Sequence, residues 1–217
     1  MLHCIQKDPV KLFLLVVYGA PVVIVAHLRL IELSGIPLGL PDLDRVLSGA
    51  RLPFVAHIVG VIGFNLLGAL QFSTQLRSVY PRLHRGIGWC ATLAGLSLGL
   101  SGLWLSLFFP VADHTTPLFT AFRVIASCVL VAVLVIGLHK AIFRHFRAHR
   151  NWMIRAYALA LGTTTQGLLT LAWEEAIGPL PDLMHAVVFA AGWGLTLLIA
   201  ELILVDHAKS EPRPAYA

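Results

Sequence analysis

Charge is scarce in this 217-residue chain: Asp, Glu, Lys and Arg together supply 12% of it, against 58% hydrophobic residues. A typical soluble domain is roughly one-quarter charged. With so little polar side chain to cover a surface, a water-soluble fold is excluded. Cysteine is short too. Cys4, Cys90 and Cys128 are odd in number and form no CxxC pair, and the last two fall in apolar runs where a small hydrophobe serves equally well, so no disulfide framework is expected. No phosphate-binding glycine loop, zinc-protease helix motif or nucleophile elbow is present. The net charge of +5 does not form a nucleic-acid-binding face, because the basic residues sit in short connections between apolar runs.

Those apolar runs are what the chain has in abundance. A hydrocarbon core about 30 Å thick needs ~20 mainly apolar helical residues. Six stretches meet or approach that length, at about 11 to 31, 52 to 76, 86 to 109, 119 to 142, 152 to 173 and 185 to 206. In lipid the backbone must satisfy its own hydrogen bonds, so even the β-branched run from Val129 to Gly137 reads as helix. Lys7 and Lys11 ahead of the first stretch resemble the start of a signal peptide. Pro21 and the lack of a small-x-small cleavage site make it a retained first helix instead. The expected architecture is an all-α, six-helix transmembrane bundle forming one domain over residues 1–209, followed by a disordered tail over 210–217 with two prolines.

Basic residues orient it. Arg77, Arg82 and Arg85 crowd the second connection, and Lys140, Arg144, Arg147 and Arg150 the fourth; the third and fifth contain no Lys or Arg. The positive-inside rule places the crowded pair and both termini in the cytoplasm of a bacterial-type inner membrane, with Arg45 and Arg51 as a mild exception outside. Small residues recur every four positions at Ala91, Gly95 and Gly99, and Gly60, Phe64 and Gly68 share a face. Such stripes favour close helix packing over a slot for a flat cofactor by about two to one.

Ten histidines stand out in so apolar a chain, because an ionisable group at membrane depth needs a partner, water or an interface. His57 lies six residues past Arg51, about 9 Å along a helix axis, and is the deepest. His185 opens the sixth stretch on the same outer side, with His114 in the acidic outer loop. His84, His139, His145 and His149 gather on the inner side. Neutral imidazoles from facing helices hold haem iron in helical bundles, and arginines pair with propionates. His57 with His185 would form an outer pair of iron ligands. His84 with His149, or with His139 in its place, would form an inner pair near Arg77, Arg82, Arg85 and Arg150. The bland alternative, snorkelling or a carbonyl partner, is favoured for His3, His27, His139, His145 and His207. A metal site from His114, Asp113, Glu174, Glu175 and Asp182 is weakly indicated. Asn65, Gln71, Thr163, Thr164, Thr165 and Gln166 either line a quinone pocket or, more commonly, bond between helices. Trp152, Tyr157 and Trp173 are placed as interface anchors.

His57 with Gly60 and Gly68, Gln71-Phe72 with Arg77, His84-Arg85 with Gly88, and the run from His149 through Arg150, Asn151 and Trp152 to Tyr157 together resemble a bacterial membrane family, domain of unknown function 2306, over about residues 52–206. The last run is the most specific. Relatives in that family often carry an arginine midway along the fifth helix, where this chain has Gln166 and Gly167. The resemblance implies a membrane protein and no established activity.

Chemistry of the histidines points first to a b-type haem-binding or quinone-linked redox protein working with membrane lipids and a redox partner or membrane complex. The alternatives are a non-enzymatic assembly subunit whose arginines hold anionic headgroups, and a proton-coupled transporter using His57 as relay. The transporter is disfavoured by the lack of an inverted repeat.

Overall fold

The structure, a computed structural model, describes residues 8–40, 49–109 and 116–210. Among these residues every regular element is helical: α1 Asp8–Leu33, α2 Arg51–Leu70, α3 Thr74–Val79, α4 Pro81–Phe108, α5 Pro117–Ile142, α6 Phe146–Ala176 and α7 Asp182–Ser210. His114, Asp113, Arg45 and the tail from residue 211 lie outside the described residues.

Five helices, α1, α2, α4, α5 and α7, are long and apolar enough to cross a membrane. The sixth long helix, α6, has the length but carries Thr163, Thr164, Thr165 and Gln166 in its middle. Its position explains the composition. α6 packs against α1, α2, α5 and α7, and its residues from Ala156 to Gly162, with Thr164 and Thr165, are buried. A helix packed on four others tolerates hydroxyls where they find partners, as Thr165 does, whereas Thr163 is exposed and Thr164 Oγ1 is buried without a partner among the described residues. Tyr18 of α1 and Thr165 share a hydrogen bond of 2.6 Å, and Tyr157 donates to the Asn65 carbonyl of α2 at 3.0 Å. Interhelical bonding is thus what Thr165 and the Asn65 backbone do.

The outer faces are the reverse. On α4, Leu93, Leu100 and Leu107 lie seven apart and are more than half exposed, while Ala91, Gly95, Leu98, Gly99 and Gly102 are buried. Exposed Leu, Ile and Val line the other long helices as well, a surface that suits lipid and not water. The buried small residues set the packing distance. A Cβ added at Gly60 would lie 2.7 Å from the Leu98 nitrogen and 2.9 Å from the Ala94 oxygen, so α2 and α4 touch backbone to backbone. Gly95 accommodates Phe64 and Leu134, and Gly99 accommodates Val131. These stripes are filled by neighbouring helices.

Several boundaries differ from the sequence expectation. The stretch 52 to 76 divides, because the Ser73 side chain accepts from the Leu76 N–H at 3.1 Å and caps a new short helix, α3. α4 begins at Pro81, where a missing N–H costs nothing, and so takes His84 and Arg85 into its first turns. α6 begins at Phe146, six residues earlier than expected, and takes in His149. At the outer end of α1 the buried Glu32 receives Arg29 at 3.1 Å and the Leu40 N–H at 2.8 Å, folding the following chain back. Arg155, nine residues into α6, forms a two-pronged pair with Glu201 of α7, one bond being 2.8 Å, against the ring of Trp152.

Gly60→Ala is expected to lower stability by about 1–3 kcal/mol, since the new methyl meets backbone that cannot rotate away. Gly86→Ala, which meets nothing, is expected to be neutral or to stabilise by up to about 1 kcal/mol through helix propensity. Thermal unfolding of the two variants in one detergent checks this; equal melting temperatures would contradict the backbone contact.

Candidate functional site

Polar side chains gather at the two ends of the α2–α4 seam. At one end, called inner after the orientation expected from the basic residues, Gln71, just past the last residue of α2, reaches the first turns of α4, and the opposite end is called outer. Its amide NH2 donates to the His84 carbonyl at 3.1 Å and to His84 Nδ1 at 3.2 Å, and its oxygen accepts from the Gly88 N–H at 3.3 Å. Accepting at Nδ1 leaves neutral His84 with its proton on Nε2. His149, from α6, has the opposite arrangement. Its Nδ1–H donates to the Gly137 carbonyl of α5 at 2.8 Å, which leaves Nε2 a bare lone pair. Both imidazoles are partly buried, and Arg77 and His149 lie within electrostatic reach of His84. The inner site therefore holds one N–H donor and one nitrogen acceptor on neighbouring rings, with the aromatic pair Phe72 and Tyr157, 5.1 Å between centroids, in the adjoining core.

At the outer end His57 turns onto α4. Ser101 donates its hydroxyl to the Ser97 carbonyl, so its oxygen accepts from His57 Nδ1–H at 3.2 Å. His57 thus also presents a bare Nε2. Gly102 makes room for the ring: a Cβ there would lie 3.3 Å from His57 Cε1 and 3.1 Å from Ser127 Oγ of α5. One turn before Ser127 stands Arg123, partly buried, with its guanidinium 5.7 Å from the centre of the Phe119 ring.

His84 has Arg77 and His149 within electrostatic reach, and Gln71, grouped in sequence only with other polar residues of the spans, is its hydrogen-bond partner. Arg85 and Arg150 are exposed near them. His57 is not brought to His185. His57 is on α2 and His185 in the first turn of α7, and these helices share no extended packed face. The ring of His139 stacks on Phe143 at 4.5 Å, and His27 bonds the Val23 carbonyl of its own helix at 2.9 Å, so both have local roles. Among the described residues no three His, Cys, Asp or Glu side chains gather as a metal site. Sequence reasoning passed over Arg123. Its signal was present: a lone cation six residues inside the most hydropathic of the five spans, at the depth of His57.

A bundle with an aliphatic exterior and polar clusters held inside its helix seams is a multi-pass helical membrane protein. The chain belongs to the family described as predicted membrane protein, domain of unknown function 2306 (DUF2306), whose model matches residues 54–204. The match begins in α2 and ends in α7, so both clusters fall within it and α1 precedes it. Comparison with curated proteins and with solved structures found no match.

Nitrogen NMR of the histidine-labelled protein at neutral pH, assigned by single substitutions, should show His149 protonated at Nδ1 and His84 at Nε2. A His84 protonated at Nδ1 would remove the donor from the inner site.

Proposed function

We propose that this chain is a single six-span domain of the bacterial inner membrane, with both termini cytoplasmic, that binds a quinone-class lipid at the inner site. The observation that carries the reading is the opposed pair of imidazole tautomers at His84 and His149. His84 Nε2–H is a donor for a quinone carbonyl, and the His149 Nε2 lone pair is an acceptor for the hydroxyl of the reduced form. Gln71 and the Gly137 carbonyl fix those roles by occupying the other nitrogen of each ring. Electrons would come from a redox partner or membrane complex, as in other cofactor proteins where the chain supplies binding and orientation.

The same tautomers fit haem b less well. Axial ligation uses a neutral imidazole lone pair, and His84 spends its Nδ1 lone pair on Gln71 and carries a proton on Nε2. The sixth span rests on α6, whose burial among four helices substitutes for apolarity. The orientation rests on the exposed Arg82, Arg85, Arg144 and Arg150 at the His84 end of the bundle. A second reading, an assembly subunit held by anionic lipid, is favoured by an open recess of about 490 Å³ lined by Lys140, Arg144, His145 and Arg147.

Decylubiquinone titrated into the detergent-purified protein is expected to quench tryptophan fluorescence saturably. Quenching should weaken about tenfold or more in His84→Ala and His149→Ala and be unchanged in His139→Ala. A reduced-minus-oxidised spectrum of the same preparation, grown haem-replete, tests the competing ligand. A b-type band lost with His84 or His149 would replace quinone by haem. If quenching is unsaturable and the band is absent, the redox reading fails.

A further inference from the structure

Among the described residues, two polar groups at the outer end of the bundle make no hydrogen bond, and a third, His57, has one ring nitrogen engaged. Arg123 forms no hydrogen bond or ion pair among the described residues, and its one contact of that kind is the Phe119 ring. Ser127 Oγ likewise makes no hydrogen bond among the described residues, although it lies beside the Gly102 that also receives the His57 ring. His57 Nδ1 meets Ser101 Oγ, and the ring also bonds the Leu98 backbone; with Nδ1 as the donor in these contacts, Nε2 is left as an acceptor.

These groups share one depth. His57 is six residues into α2 from its outer end and Arg123 six into α5, each about 9 Å along its helix, while Ser101 is seven residues from the outer end of α4. The Arg123 guanidinium, over the Phe119 ring, is within electrostatic reach of the His57 ring. An arginine within an apolar span calls for an anion or a water-filled cavity.

We propose that Arg123, Ser127 and His57 form a binding site for an oxyanion that retains its own hydroxyl, of the hydrogen phosphate or phosphate monoester class. The guanidinium and the Ser127 hydroxyl donate to the charged oxygens, in the fork geometry that suits Arg to phosphate. His57 Nε2 accepts the P–OH proton, a contact that a phosphodiester cannot offer. Ser101 acts as a positioning residue by holding the His57 tautomer, and Gly102 by leaving space for the ring. The site is separate from the inner histidines and stands whether or not a quinone binds there.

The ligand has two sources, a free phosphate on the outer side or a monoester headgroup such as phosphatidate in the outer leaflet. The test uses the full chain in a neutral detergent, titrated with inorganic phosphate by calorimetry, and in parallel in nanodiscs of phosphatidylcholine with or without phosphatidate, followed by thermal unfolding. Arg123→Gln is expected to weaken the response by about tenfold or more. His57→Phe should weaken it several-fold, and Arg123→Lys should retain part of it by keeping the charge without the fork. Arg51→Gln, an exposed cation at the outer end of α2, controls for surface charge and should change nothing. Saturable phosphate binding with that ranking assigns a soluble anion. A melting-temperature rise confined to phosphatidate discs, with the same ranking, assigns a headgroup. No response to either, or an equal loss in Arg51→Gln and Arg123→Lys, overturns the site and leaves Arg123 as a snorkelling side chain.

Discussion

The backbone contact between α2 and α4 at Gly60 fixes both polar clusters at once. Gly60 meets Leu98 and Ala94 across the seam, His57 then falls opposite Ser101 and Gly102 on one side, and Gln71 falls opposite Gly88 and His84 on the other. All of these pairings belong to one antiparallel register. A slip of one helical turn, about 5.4 Å, would separate His57 from Ser101 and Gln71 from His84 together. The single small residue Gly60 thus governs chemistry about 4.5 Å and 17 Å away from it along the same helix.

Along each helix the sequence carries a clear pattern, and across helices it carries almost none. Apolar length revealed the spans, and the spacing of Ala91, Gly95 and Gly99 revealed a packing face. Nothing in that spacing says that Gly95 receives Phe64 or that Gly102 receives His57. Pairing His57 with His185 was reasonable from depth alone, since both lie toward one membrane face, but depth does not fix which helices are neighbours. Gln71 was legible as polar and illegible as the residue that sets the His84 tautomer, because its partners come from a helix that begins ten residues later. Glu32 and Glu201 went unnoticed for a related reason. A carboxylate reads as exposed until its partner is known, and Arg29 with the Leu40 N–H, and Arg155, are those partners.

Helix boundaries moved where local capping overrode hydropathy. Ser73 ends the apolar run of α2 by offering the backbone a better partner for Leu76 than a continued helix would. Pro81 and His145 start α4 and α6 earlier than apolarity alone implies, and this extension lifts His84 and His149 out of loops and onto rigid helices. The consequence is functional: an imidazole on a helix has a fixed direction, so the donor and acceptor of the inner site are preorganised.

The two clusters are far apart in the bundle. From His57 to Gln71 is fourteen residues, about 21 Å along α2. Most of the space between is filled by apolar side chains: Phe64 is 3% exposed, Leu98 9% and Leu134 0%, and these share a buried cluster with Tyr157, whose hydroxyl is spent on the Asn65 carbonyl. A chain of proton carriers needs hydrogen-bond partners within about 3 Å of one another, and Ser97, whose hydroxyl is spent on the Ala56 carbonyl, is the last hydroxyl on that face before the apolar layer. The two clusters therefore sit at opposite ends of the α2–α4 seam with a largely apolar layer between them, and each is held by its own set of interhelical bonds rather than by the other.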